Sequence, residues 1–173
     1  PQAEMTWDLK TANAVLHLAE DLSLTCRGSH KQDLPSNPER FKVHPCVLGS
    51  RGFTWGWHCW EVEIRGRGTW AIGVAKGSVP REKHFPLKPE SGVWALWHSG
   101  DGCKALTSPD ATPLTLRSVP QRIRVCLDCQ EGTVVFYDAV SKAQIFAFLG
   151  VSFKGERVYP WFLVMEDVCL KLI

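Results

Sequence analysis

The sequence has no long apolar run, no cluster of like charges and no complete catalytic or metal-binding motif. No stretch of about eighteen consecutive apolar residues occurs among its 173 residues, so a membrane-spanning helix is not predicted. The first residues, Pro1 to Glu4, also lack the basic and then apolar pattern of a secretory leader. We therefore expect a domain without a membrane or export signal and without direct membrane contact.

Positive and negative charges are nearly balanced. The chain has 20 Lys and Arg against 18 Asp and Glu, a formal net charge of +2, and its basic residues are scattered along the sequence. Nucleic acids and anionic membranes attract proteins through concentrated positive charge. The sequence therefore predicts neither of them as a partner.

Residues able to perform catalysis are present, but their spacing does not assemble a site. Cys126 and Cys129 have the spacing of half a zinc or redox site, yet no second such pair and no matching histidine pair occurs. Residues three apart in a strand point to opposite faces, which argues against joint action of these two thiols. Adjacent residues also face apart, so His58 is not expected to activate Cys59. We predict a non-catalytic domain that uses no metal or cofactor.

The cysteine count is odd and the cysteines lie mostly in apolar strand patterns. They are Cys26, Cys46, Cys59, Cys103, Cys126, Cys129 and Cys169. This usage is typical of free buried thiols in a reducing compartment. We expect a cytoplasmic protein, with the nucleus and secretion left open.

The apolar residues recur with a period of two, which predicts strands and no long helix. Clear strands are expected at 59–64, 69–75, 92–97, 122–127, 133–138, 144–148, 159–164 and 168–173. Two antiparallel sheets packed face to face would bury their apolar sides, giving an all-β sandwich. The best helix candidate is a short segment near the N-terminus, Thr11 to Leu16.

Eight tryptophans are more than the core of such a sandwich needs. Three lie inside regular alternation and are predicted core residues: Trp60, Trp70 and Trp94. Trp97 ends a strand, where exposure suits a binding role. Trp55 and Trp57 flank Gly56, and the sequence leaves open whether they pack on the sheet or form a second exposed patch.

Three sequence blocks occur in an order that identifies a family. They are Trp7 to Asn13, the Trp-Glu-Val-Glu motif at Trp60 to Glu63, and Leu127 to Gln130. With these blocks in this order, the chain resembles a PRY-SPRY domain, the module found at the C-terminus of many tripartite-motif ubiquitin ligases and butyrophilins. The resemblance implies one domain over residues 1–173, with a PRY part of about 1–50 and an SPRY part of about 51–173. It also implies a bent two-sheet sandwich of the concanavalin-like jelly-roll type.

In this family, loops at one end of the sandwich build a shallow pocket that holds the partner. Carried onto this chain, the resemblance implies a pocket formed by His44, Pro45, Cys46, Trp70, Ala71, His84, Phe85, Leu87, Trp97, Phe162, Leu163, Val164 and Met165. These side chains are mostly apolar or aromatic, which suits a protein or peptide with hydrophobic anchors.

Differences between this sequence and better-understood family members narrow the range of expected partners. Members that bind a terminal carboxylate have arginine where this chain has Cys46. Butyrophilins that bind phosphorylated small molecules line the pocket with several basic residues, whereas Ala71 and Leu87 supply no basic group here. Members that bind antibody constant regions have an acidic residue in place of Ala71 and tryptophan in place of Ser99. The resemblance therefore predicts substrate recognition for a tripartite-motif ubiquitin ligase, whose parent chain forms a coiled-coil dimer. The alternative is the intracellular ligand-sensing domain of a butyrophilin.

Overall fold

The computed structural model of the protein describes residues 4–173, and Pro1 to Ala3 of the predicted domain lie outside the described residues. The strands are β1 (Leu16–Leu18), β2 (Leu24–Arg27), β3 (Cys46–Leu48), β4 (Trp57–Arg67), β5 (Trp70–Lys76), β6 (Val93–Ser99), β7 (Gly102–Ala105), β8 (Thr112–Leu114), β9 (Arg122–Asp128), β10 (Thr133–Asp138), β11 (Gln144–Phe148), β12 (Val158–Val164) and β13 (Asp167–Leu172). A single 3₁₀ turn, Pro89–Ser91, precedes β6. Within residues 4–173, no helix is long and apolar enough to span a membrane.

The strands form two antiparallel sheets. One sheet has seven strands in the order β1-β2-β13-β4-β9-β10-β11, and the other has six in the order β3-β12-β5-β6-β7-β8. The N-terminal strands are divided between them, because β2 pairs with β13 whereas β3 pairs with β12. The predicted all-β, two-sheet antiparallel sandwich is confirmed.

Alternation along β4 shows why the sheets pack together. Trp60 and Val62 point into the space between the sheets and are almost fully buried. Glu61 and Glu63 point outward, where they pair with Arg124 and Arg122 of β9 at 3.1 and 3.8 Å. β4 thus contributes an apolar inner face and a charged outer face. Trp60, Trp70 and Trp94 all lie in this inter-sheet core, which confirms their predicted burial.

The predicted helix at Thr11 to Leu16 is wrong. The structure has turns there, and β1 begins at Leu16. The Asn13 side chain donates to the His44 carbonyl at 2.9 Å and accepts from the Val15 N–H at 3.0 Å. Thr11 Oγ1 likewise accepts from the Leu48 N–H at 2.9 Å. Side chains of this type favour turns because they satisfy backbone groups that a helix would otherwise pair.

The prediction of seven free thiols is wrong for four of them. Disulfides join Cys26 to Cys169 and Cys59 to Cys126, whereas the other three cysteines are free. Each bonded pair lies directly opposite across neighbouring strands, β2 with β13 and β4 with β9. The alternation of single strands predicts burial but gives no register between strands, so these pairs were missed.

Gly132 occupies a position that a side chain cannot fit. Its φ is +71°, and an added Cβ would lie 2.1 Å from the Val151 carbonyl oxygen. Gly150 has a similar φ of +63° but open space around it. A positive φ costs an alanine about 1–2 kcal/mol at either position, and the steric clash adds to that cost only at Gly132.

We therefore expect Gly132→Ala to lower the free energy of unfolding by about 1–3 kcal/mol more than Gly150→Ala. Chemical denaturation of both variants measures this difference. Equal losses would mean that the loop containing Val151 moves aside without cost.

Candidate functional site

One row of side chains crosses the outer face of the six-stranded sheet. Strand register places Ala71 beside both Trp97 and Leu163, and Leu163 beside Cys46. Lys104 of β7 continues the row next to Trp97. Ala71 and Cys46 are small and fully buried, so they leave room on either side of Leu163. The sheet therefore provides a floor in which Trp97 lies next to the small residue Ala71 and Lys104 ends the row.

Two loops complete the wall of a pocket above this row. The first contains His44 and Pro45, and the second contains His84, Phe85 and Leu87. The pocket has a volume of about 400 Å³, within the range of ligand-binding clefts.

The two loops are joined by direct contacts through His44. Its Nε2 lies 2.9 Å from the Phe85 carbonyl oxygen. Because a carbonyl oxygen only accepts, Nε2 carries a hydrogen and donates it in this bond. The His44 ring also meets the rings of His84 and Phe85, with centroids 4.7 and 4.8 Å apart. These contacts fix the shape of the loops before any partner arrives.

Arg81 anchors the second loop. Its guanidinium donates to the carbonyls of Val79 and Gly77 at 3.1 and 2.7 Å and lies 4.7 Å from the centre of the Phe41 ring. Burial lowers the pKa of Arg81, yet the carbonyl contacts hold its cation in place. The pocket wall is thus attached to the small core of apolar residues between the loops and the sheet.

Eight predicted site residues line this pocket: His44, Pro45, His84, Phe85, Leu87, Trp97, Leu163 and Met165. Cys46 and Ala71 lie beneath it on the same sheet face. Trp70, Phe162 and Val164 point to the opposite side of the sheet and pack in the inter-sheet core. Whether the eight lining residues bind a partner stays a prediction.

Lys104 and Leu106 also line the pocket and were not predicted. Lys104 is exposed and lies beside Trp97 because β7 pairs with β6. Lys104 belongs to none of the family blocks, so the sequence did not indicate it. Only the pairing of β6 with β7 shows that Lys104 lies next to Trp97. It supplies a cation at the rim of an otherwise apolar pocket.

The pocket offers no activated nucleophile. Burial raises the pKa of the Cys46 thiol far above its ordinary value, so the thiol stays protonated. Among residues 4–173, no group of His, Cys, Asp or Glu side chains could hold a metal ion. The geometry suits binding of an apolar side chain.

His44 should make the fold sensitive to acid. Burial lowers the pKa of His44, helped by the nearby His84, although the hydrogen bond to Phe85 acts in the opposite direction. A lowered pKa means that the folded state favours the neutral ring, so its stabilising contribution is present above the ordinary pKa of 6.5 and is lost as the pH falls through the folded value.

We therefore expect the free energy of unfolding to decrease as the pH falls below the ordinary histidine pKa of 6.5, and to decrease less in His44→Gln. Denaturation at a series of pH values measures both slopes. Equal slopes would assign the dependence to another group, and His98 is the first candidate because burial also lowers its pKa.

Comparisons with known proteins agree with this geometry. The SPRY domain family matches residues 57–173, and the SPRY-associated domain family, PRY, matches residues 5–53. The chain is 39% identical over 165 residues to butyrophilin subfamily 2 member A2 of Mus musculus. It is 41% identical over 164 residues to butyrophilin subfamily 1 member A1 of Homo sapiens. Each alignment covers 95% of this chain but only 32% or 31% of the relative, so the chain spans about a third of their length.

Solved structures share the whole fold. The TRIM65 PSpry domain matches with a TM-score of 0.85 and 21% identity, over 99% of this chain and 90% of that one. The stonustoxin structure matches with a TM-score of 0.86 and 24% identity, over 99% of this chain and 29% of that one. At these identities the two structures establish the fold alone.

The two antiparallel sheets with the loop-built pocket at their surface define the class of protein as a β-sandwich domain. The domain matches over residues 5–53 and 57–173 specify which one: the chain belongs to the PRY-SPRY family. SPRY domains are generally non-catalytic and bind protein targets.

Proposed function

We propose that this domain binds a protein target by taking an apolar or aromatic side chain of that target into the pocket beside Trp97. The observation that carries the proposal is the row from Cys46 to Lys104, in which the small residue Ala71 lies between Leu163 and Trp97. A floor of this shape accepts a side chain from outside, and the loops fixed by His44 close around it. Rigid loops lower the entropy that binding costs.

The charge of the pocket favours a protein over a phosphorylated small molecule. Lys104 is the one Lys or Arg among the described residues that line it. A phosphate presents several anionic oxygens, and each one left without a charge-assisted hydrogen bond loses about 1.5–3 kcal/mol. An apolar side chain of a protein target packs against the apolar lining, and Lys104 can pair with one acidic residue next to that side chain.

The parent protein has two candidate forms. In the first, the domain selects substrates for a tripartite-motif ubiquitin ligase whose coiled coil forms a dimer, and a RING domain elsewhere in the parent recruits the ubiquitin-loaded enzyme. In the second, it is the intracellular domain of a butyrophilin, which the relatives at 39% and 41% identity favour. Both forms place the domain in the cytoplasm. The flanking segments of the full-length transcript distinguish them, because the first predicts a coiled coil and the second a transmembrane helix.

The experiment that tests binding is affinity capture with the wild-type domain and Trp97→Ala, read by mass spectrometry. A captured protein is then purified and its affinity measured by calorimetry with both domains. A target that binds the wild type and loses affinity for Trp97→Ala supports the proposal. Retention of a phosphorylated metabolite, without any protein that depends on Trp97, would overturn it in favour of ligand sensing.

A further inference from the structure

A second cleft lies on the outer face of the seven-stranded sheet, on the side of the sandwich away from the pocket. Its apolar lining consists of Trp57, Cys126, Tyr137 and Ala139, and its volume is about 340 Å³. Glu61, Arg124, Asp138 and Lys142 complete the lining. We call this cleft the Trp57 groove. None of its residues belongs to the pocket beside Trp97.

Two exposed tryptophans occur at the start of β4 and just before it. Trp57 is 46% exposed and Trp55, which precedes it by two residues, is 74% exposed. Large aromatic side chains left in solvent are typical of interaction hot spots. The two alternatives that the sequence left open for these residues are therefore resolved in favour of an exposed patch.

The loop that carries Trp55 and leads into Trp57, the first residue of β4, is held in one shape. His58 Nε2 lies 2.9 Å from the Trp55 carbonyl oxygen, and the His58 ring stacks on Phe53 with centroids 3.8 Å apart. Gly56 allows the turn between the tryptophans with a φ of +87°. The exposed side chains are thus displayed on an ordered segment, which lowers the cost of binding.

The carboxylates of the groove are already compensated. Glu61 accepts from Arg124 at 3.1 Å and has Arg122 at 3.9 Å. Asp138 Oδ1 accepts two backbone N–H groups of the turn that follows it, at 2.9 and 3.1 Å. Neither carboxylate needs a cation from a partner.

Lys142 is different. It is exposed, and within residues 4–173 its ammonium has no ion-pair partner. The groove therefore combines an apolar lining with one uncompensated positive charge at its margin. A complementary ligand has an apolar group close to a negative one.

We propose that the Trp57 groove is a second interaction site, which binds a protein segment carrying an apolar side chain within two residues of an Asp or Glu. The apolar side chain packs against Trp57 and Tyr137, over Cys126. The carboxylate reaches Lys142. A second copy of this chain that docks groove to groove is the weaker occupant, because its Glu61 is already ion-paired and its Asp138 already accepts two backbone N–H groups.

The test is selection of displayed random twelve-residue peptides on the wild-type domain, with Trp57→Ala used to remove peptides that bind elsewhere. Synthetic versions of the selected peptides are then measured by calorimetry. We expect them to share an apolar residue next to an acidic one. Their affinity should fall at least tenfold for Trp57→Ala and for Lys142→Glu and should stay within twofold for Trp97→Ala.

A charge exchange provides the stricter control. Replacing the acidic residue of the peptide with lysine should abolish binding to the wild type and restore it to Lys142→Glu. Thermal unfolding of both variants confirms that they fold, and Trp57→Phe, which keeps an aromatic ring, should retain most of the affinity.

Three outcomes would overturn the proposal. The first is that no peptide is enriched. The second is that enriched peptides lack an acidic residue or bind Lys142→Glu as well as the wild type. The third is a wild-type dimer in sedimentation that Trp57→Ala dissociates, which would make a second copy the occupant.

Discussion

Trp60→Ala is expected to lower the free energy of unfolding by about 3–5 kcal/mol. Trp60 is 1% exposed and lies in the middle of β4, opposite Val125 of β9. Its ring stacks on Phe53 with centroids 6.2 Å apart. Alanine would leave a cavity between the sheets, where two layers of close-packed side chains cannot collapse to fill it.

Hydrogen bonding contributes little to this expected loss. Within residues 4–173, the buried indole nitrogen of Trp60 has no hydrogen-bond partner, so removing it breaks no polar contact. The cost therefore measures packing and transfer of apolar surface alone.

Trp57→Ala is the matched control for this prediction. It removes the same side chain from the same strand, but on the exposed outer face. Urea denaturation of the two variants should show a large loss for Trp60→Ala and a loss under about 1 kcal/mol for Trp57→Ala. Similar losses would contradict the assignment of inner and outer faces in β4.

Strands could be predicted because alternation is a local property. The expected strands 133–138 and 144–148 coincide with β10 and β11. Trp60 points to the buried side of β4, as the alternation of its neighbours predicted. In each case, the residues one and two positions away decide which side is buried. No information about the partner strand is needed.

Contacts between strands could not be predicted in this way. Cys26 and Cys169 are 143 residues apart in sequence, and only the pairing of β2 with β13 places them together. Lys104 reaches the pocket for the same reason, as the partner of Trp97. Register depends on the whole sheet, so these neighbours become visible only in three dimensions.

The predicted site contained an inconsistency that alternation alone could have revealed. The resemblance assigned the consecutive residues 162–165 to one pocket, although neighbouring residues in a strand face opposite sides. Leu163 and Met165 line the pocket, whereas Phe162 and Val164 pack between the sheets. Family correspondence locates the strand that forms a site, and the period of two selects the residues that reach it.

Trp97→Ala is expected to weaken target binding by more than about 2 kcal/mol, roughly thirtyfold in Kd, while the fold is retained. Trp97 is only half-buried, lies two residues before the end of β6 and faces the pocket, so the inter-sheet core does not depend on it. Trp97 has the largest side chain of the residues that line the pocket, and alanine there would leave the target side chain with solvent on one side.

Lys104→Ala and Trp57→Ala distinguish the contribution of Trp97 from those of its surroundings. Calorimetry with the captured target should give a smaller loss for Lys104→Ala, because an exposed charge contributes about 1 kcal/mol or less. Trp57→Ala removes an exposed tryptophan from the opposite sheet and should leave this affinity unchanged. If instead Trp57→Ala weakens binding of the target and Trp97→Ala does not, the Trp57 groove is the principal binding site. The family correspondence would then point to the wrong face of the domain.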